Sequence, residues 1–383
     1  MAETENRHSI AGVPMSRRQL LARAAKLGIG FPSAAWLLAA CSDSSSTAVA
    51  GGSPTGAATT AAPTGQATML HYVGWMGKNE VDEFEALYPG AKIKQAPDTS
   101  SSVAGRVQLI KQNQDQYDFS LGDEAFVAQG MAAGIVGDVN FDHIPNIANV
   151  QVKFRQDYSH GIPTDYGKVG IGYRKDIVTE TITGWSDFWA IVPKYSGQVV
   201  IIDLDRDCMG TALKYLGYSA NSVNEDELTQ ARDALIELKP HLQALKYYNV
   251  GAGLSKGTAA LVMDWDFDVA LNQQKEPNVE WVFPEEGAVA YLEGWVAVKD
   301  TLEIDVVEAF MNFHLDPKQY ADFVNTTGTA YVMDAATSYI DKSISENPIL
   351  VPDEAILAQV EFEKFLGEGT ATWAKAWDEF KSA

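Results

Sequence analysis

The chain has 383 residues, enough for two domains of ordinary size, and 46% of them are hydrophobic, so it can bury substantial cores. Its formal net charge of −22 argues against nucleic acid or anionic lipid as a main partner and suits a protein that attracts cations, although many acidic proteins bind none. The only two cysteines, Cys41 and Cys208, make neither a disulfide framework nor a zinc-type cluster.

Residues 1–40 read as an address label. "SRRQLL", Ser16 to Leu21, is a twin-arginine pattern, and "LGIGFPSAAWLLAA" follows it with fourteen uncharged residues. A helix needs about 20 apolar residues to span a bilayer, so this run has the length of a signal-peptide core instead. It ends in "LLAAC", Leu37 to Cys41, which resembles a bacterial lipobox whose cysteine is lipidated and becomes the new N-terminus. The twin arginines imply export of an already folded protein. Cleavage before Cys41 removes five basic and two acidic residues and makes the remainder more acidic still. Residues 42–67 contain no aromatic and almost no charge; a flexible tether of that length reaches roughly 25–30 Å. The sequence thus describes a protein anchored through lipid on Cys41, in the periplasmic space or on the outer face of the cell membrane.

From residue 68 the apolar pattern alternates between two periods. "ATMLHYV", "AKIKQ" and "YDFSLG" read as strands; "NEVDEFEALYPG", "SSSVAGRVQLIKQN" and "DEAFVAQGMAAG" read as helices, the last capped by Asp123 and stopped by Gly134. In the second half "QVVIID", "LQALKYY", "AALVMD" and "VEWVF" read as strands. "GWSDFWAIV", "DCMGTALKYLGYS", "NEDELTQARDALIELKP" and "WDFDVALNQQK" read as helices. Beyond about residue 300 the pattern reads as mostly helical, including "DEAILAQVEFEKFL" and "ATWAKAWDEF". Alternation of strand and helix predicts parallel α/β architecture in two lobes. The glycine-bearing segments "GKVGIGYRKD" and "AYLEGWVAVKD" are candidate crossovers between them. The expected division is lobe 1 from 68–170 and 297–383, and lobe 2 from 171–296. A cleft between lobes, at the carboxyl ends of strands, is the favoured place for a small-molecule site.

The stretches "YDFSLGDEAFVAQGMAAGIVGDVN", "GIPTDYGKVGIGY", "TGWSDFWAIVPKYSGQVVIID", "ALKYLGYSAN" and "PEEGAVAYLEGWVAV" resemble bacterial polyamine-binding proteins, the spermidine/putrescine solute receptors of ABC importers. The likeness runs with gaps from about Leu70 to Asp334. It implies an α/β, two-lobed, type II periplasmic-binding-protein-like fold that closes on its ligand, with an ABC permease and ATPase as partners. It implies no cofactor, no metal and no catalysis, and a monomer is expected. It also implies a site of aromatic walls and carboxylates, and the chemistry agrees. Flat rings cover the methylenes of a polyamine and attract its cations through their π faces, and carboxylates accept charge-assisted hydrogen bonds from its ammonium groups.

Carried over by position, Trp75, Trp265 and Tyr291 match aromatic walls, and Asp123, Asp207 and Glu293 match polar or acidic contacts. Tyr291 and Glu293 are two apart, which on an extended segment puts both on one face. Three have a plainer reading: Asp123 as helix cap, Asp207 as an acid favoured at a helix start, Trp265 as core; Asp264 and Asp266 either cap the following helix or line the cleft. Tyr166 is a further candidate at the crossover. Leu204, Thr329 and Ala125 depart from the family, standing where it often has an acid, an aromatic and a ring. They leave open another solute, such as a different amine, an amino acid or opine, or a metal ion. An extracellular carboxylate-dependent hydrolase is the reading from another class. No nucleophile elbow, P-loop or HExxH occurs. Cys208 is expected to be inert packing.

Overall fold

The computed structural model describes residues 62–100, 102–158 and 160–383. The expected twin-arginine leader, the lipidated Cys41 and most of the tether lie outside the described residues. The tether ends earlier than expected. Strand β1, Gly65–His71, already pairs at Gly65 with Ala91, and Ala67 is fully buried.

The first lobe is built on β1, β2 (Ala91–Pro97), β3 (Phe119–Asp123), β4 (Gly161–Arg174) and, much later in sequence, β9 (Ala288–Ala297). The second uses the far end of β4 with β5 (Val199–Ile202), β6 (Leu242–Lys246), β7 (Leu261–Trp265) and β8 (Val279–Val282). The full order is β2-β1-β3-β9-β4-β7-β5-β6; β8 and the short β10 (Ala330–Tyr331) pair with β4, and β11 (Val360–Phe362) pairs with β9. β1, β2 and β3 run parallel, as the helix-separated strands require, while β9 returns antiparallel to both β3 and β4.

β4 changes partners part-way along. Its residues up to Lys168 pair with β9, the last pair being Lys168 with Ala290, and from Val169 onward they pair with β7 and β8. Both expected crossover segments are therefore extended strands, and the first is shared by the two halves of the sheet. Gly167 is needed in β4 for close approach: a Cβ there would lie 2.5 Å from the Tyr291 ring.

Two hydrophobic cores result. One gathers Met69, Phe119, Trp295, Phe310 and Phe323; the other gathers Trp185, Ile201, Met209, Leu235 and Met263. The C-terminal helix Thr370–Ser382 buries Trp373, Ala376 and Phe380 in the second core, so the expected assignment of all of 297–383 to lobe 1 does not hold for this helix. Its apolar positions 373, 376 and 380 form one face, and that face packs on the helix Glu225–Leu238.

A second correction falls just before it. "DEAILAQVEFEKFL" is helical only over Glu354–Leu357, and Val360–Phe362 form β11. Val360, Glu361, Phe362 and Glu363 alternate apolar with acidic, a strand period inside a run that reads as helix. Pairing in parallel with Ala288–Ala290 decides the matter.

Candidate functional site

A cavity of about 650 Å³ lies between the lobes, and all six expected residues line it: Trp75, Asp123, Asp207, Trp265, Tyr291 and Glu293. Strand ends deliver most of them. Tyr72 leaves β1 directly into a turn closed by the Trp75 amide on the Tyr72 carbonyl, with Gly74 at φ +84°, a conformation glycine adopts freely. Asp123 ends β3, Trp265 ends β7, and Asp207 sits in the first turn of the helix Asp205–Tyr215 that follows β5. Asp123 is both helix cap and cavity residue, since its Oδ1 accepts from the Phe126 amide at 2.6 Å.

The register of the central strands brings acids together. Glu293 on β9 stands directly opposite Asp123 on β3 and opposite Asp165 on β4. Three carboxylates thus form a row across three neighbouring strands, an arrangement that like charges disfavour. Burial, reinforced by the charge on Asp165 and opposed by Arg106, drives the Glu293 carboxyl well above its ordinary range. Burial lifts Asp165 to about 6, against hydrogen bonds from Thr164 (2.7 Å), Thr329 (3.1 Å) and the Trp75 indole (3.4 Å). Asp123 is raised as well, by burial.

A second acidic group, Asp205, Asp207 and Glu363, lines the same cavity from the second lobe and the C-terminal segment. Burial lifts Asp207 to about 7; the Trp265 indole, donating to its Oδ1 at 3.2 Å, holds it down, while Asp205 and Asp123 push it up. Glu363 is driven well above its range by burial, against Arg206 3.7 Å away.

Two arginines accompany these acids; Arg106 is engaged, whereas Arg206 keeps Nε and Nη1 buried without a hydrogen-bond partner. Arg106 pairs with Asp98 at 2.5 Å, donates to the Leu121 carbonyl and stacks 4.1 Å from the centre of the Tyr72 ring. Arg206 donates to Asn221 and stacks 4.3 Å from the Trp373 ring centre. The lining keeps an excess of carboxylates, chemistry suited to a cation.

The aromatic side comes from "MDWDFD". Trp265 and Phe267 stack at 5.7 Å with 13° between planes, and Phe267 meets Trp75 edge-on at 5.2 Å. All three rings are half-buried and present surface to the cavity. Of the three acids in that run, Asp264 and Asp266 face the protein, while Asp268 also lines the cavity. Asp264 Oδ1 accepts from the Trp265 amide, Asp266 Oδ1 from the Phe267 amide, and Asp268 from the Gly251 amide and Asn272. Asp264 and Asp266 therefore do not line the cleft. Replacing Trp265 with alanine is expected to weaken ligand binding about 30-fold, the loss of an aromatic hot spot, while shifting the melting temperature only a few degrees; parallel titration and scanning calorimetry check it.

Several residues escaped the sequence reading. Tyr72, Tyr247, Phe267, Asp205 and Glu363 all line the cavity. Asp205 and Phe267 are each two positions from an expected residue, a signal available in sequence; Glu363 directly follows the misread strand. Tyr166 is core, stacked on Phe154 at 5.0 Å, and is not part of the site. Of the departures, Leu204 lines the cavity, Ala125 is buried, and Thr329 is buried against Asp165. Cys208 is buried with its thiol on the Ile202 carbonyl, and burial raises its pKa far out of the reactive range. Among the described residues no group of three or more His, Cys, Asp or Glu is placed to hold a metal ion.

Two α/β lobes around a solute-sized cleft define a two-lobed solute-binding protein. The family model described as bacterial extracellular solute-binding protein matches residues 79–352, and the chain belongs to that family. The spermidine/putrescine-binding periplasmic protein of Salmonella typhimurium is 22% identical over 272 residues, 70% of this chain and 78% of that protein. A putrescine-binding periplasmic protein of Pseudomonas aeruginosa is 22% identical over 337 residues, 82% and 92% of the two chains. The fold is similar to the spermidine/putrescine ABC transporter substrate-binding protein of Streptococcus pneumoniae, with TM-score 0.71 and 21% identity over 83% of this chain and 98% of that one.

Proposed function

We propose that this protein is the extracellular receptor of an ABC importer, capturing a polyamine such as spermidine or putrescine and delivering it to a membrane permease and its ATPase. The observation that carries the reading is the row of Asp123, Glu293 and Asp165 across three strands, beside the rings of Trp75, Trp265 and Phe267. Like charges set opposite one another cost stability when the cavity is empty. An ammonium group removes that cost and gains charge-assisted hydrogen bonds, while the rings cover its methylenes. Trp75 and Asp123 belong to lobe 1, as do Tyr291 and Glu293 on β9, and Asp207 and Trp265 belong to lobe 2. A ligand that touches all of them favours the closed state, because it bridges both lobes only there.

The leader and lipobox support a receptor tethered by lipid on Cys41, and we read it as a monomer that binds its solute without chemical change. Equilibrium dialysis with labelled putrescine and spermidine tests the reading, with an ω-amino acid and a dicarboxylate as competitors. Micromolar or tighter retention of one amine, displaced by unlabelled amine and not by the acids, is the expected result. No retention of either amine overturns it. Leu204 and Thr329 favour a second reading, another cationic or zwitterionic solute in the same cleft; displacement by the ω-amino acid alone is its signature.

A further inference from the structure

The geometry points to Lys168 as a positioning residue that fixes the aromatic wall and couples it to the first lobe. Lys168 is buried in β4 at the place where the strand exchanges β9 for β7. Its ammonium lies 2.5 Å from Asp266 Oδ2 and 2.6 Å from the carbonyl oxygen of Ile349. Asp266 stands between the two wall residues, and its other oxygen accepts from the Phe267 amide at 2.8 Å. Ile349 and Leu350 belong to the first core. One cation therefore joins the hinge strand, the residue between the two rings, and a segment of the opposite lobe.

Stability alone does not explain such a pair. Replacing both members of a buried ion pair with apolar groups is often neutral or stabilising, whereas removing one leaves an uncompensated charge. A hollow of about 270 Å³ lined by Lys168, Trp281 and Ile349 borders the pair, although both of its side chains are buried. The directional bonds of the ammonium are what set the Asp266 backbone, and the Asp266 backbone sets the relation of Trp265 to Phe267. When the lobes move, the wall moves with the Lys168–Ile349 contact.

Three variants separate this role from simple burial: Lys168→Met, Asp266→Leu and the double variant. Melting temperature, spermidine affinity and the interlobe distance distribution are measured on each, the last with spin labels at the exposed positions Val152 and Val223 after substitution to cysteine. Both single variants are expected to melt lower. The double variant is expected to recover the melting temperature yet keep a broadened distance distribution and bind spermidine about 30-fold more weakly than wild type. Recovery of distances and affinity together with the melting temperature overturns the proposal. The affinity arm rests on the polyamine reading. If wild-type protein binds no amine, that reading fails by itself, and the distance distribution of the double variant still decides the role of Lys168.

Discussion

Glu293→Gln is expected to weaken ligand capture severely and at the same time raise the melting temperature of the empty protein. Glu293 is buried between Asp123 and Asp165, opposite one on each side. Burial and the neighbouring acids hold its carboxyl well above the ordinary range, so folding near neutral pH costs the free energy of protonating it, and an amide removes that cost. It keeps the shape and the hydrogen-bonding capacity of the side chain. Scanning calorimetry on the empty protein is expected to show an increase of a few degrees. With a cationic ligand the sign reverses. Truncating one member of a buried charge pair costs about 2–5 kcal/mol, which makes binding weaker by roughly 30- to 5,000-fold. A residue that merely packs lowers stability when changed and leaves affinity alone, the opposite pattern. Unchanged affinity in Glu293→Gln would remove the acid row from the site.

The second large effect is on pH. Asp165 and Asp207 are lifted to about 6 and about 7, chiefly by burial, so the empty cleft holds protons near neutrality. An ammonium group favours the ionised form, so binding expels those protons. Affinity therefore rises with pH between about 5 and 7, by up to roughly tenfold per pH unit for each proton released. Above that window the acids are already ionised and the curve flattens. The stability of the empty protein follows the same groups with a definite sign. A carboxyl whose folded pKa lies above its unfolded value of about 3.9 contributes stability that is complete below that value and is lost as pH rises through the folded pKa. The melting temperature of the empty protein should fall between about pH 4 and 7, and that of the liganded protein should fall less. Titration calorimetry in two buffers of different ionisation enthalpy counts the protons directly. Asp207→Asn should reduce the count and flatten the affinity curve above pH 6. An affinity that falls with pH in this window would mean that the carboxylates are not the ligand's partners.

Much of the fold is legible in the sequence because its elements are local. Strand and helix periods mark β1 to β3 and β5 to β8, Asp123 and Gly134 bound one helix as their side-chain and backbone chemistry require, and the glycine-bearing segments mark β4 and β9 as extended crossovers. The acid row is not legible, since it depends on register. β9 inserts between β3 and β4 from more than a hundred residues away, and only that pairing puts Glu293 opposite Asp123 and Asp165. Asp165 has no motif that separates it from any acid near a tyrosine. Arg106 reads as one more helix residue, yet folding buries it behind Tyr72. Glu363 is hidden for a related reason: a helix-rich composition masked a three-residue strand whose partner is distant. The alternation in "MDWDFD" was visible, but its division of labour was not. The rings Trp265 and Phe267 turn to the cavity, while Asp264 and Asp266 take up the amides beside those rings.

The most direct test of a cation held between the acid row and the aromatic wall is a crystal structure grown with saturating spermidine. The expected result is density for an extended amine in the interlobe cavity, with one ammonium within hydrogen-bond distance of the Glu293 carboxylate and methylenes against the Trp75 and Trp265 rings. A cavity left empty at saturation, or an amine bound elsewhere with Glu293 and Asp207 untouched, would contradict it.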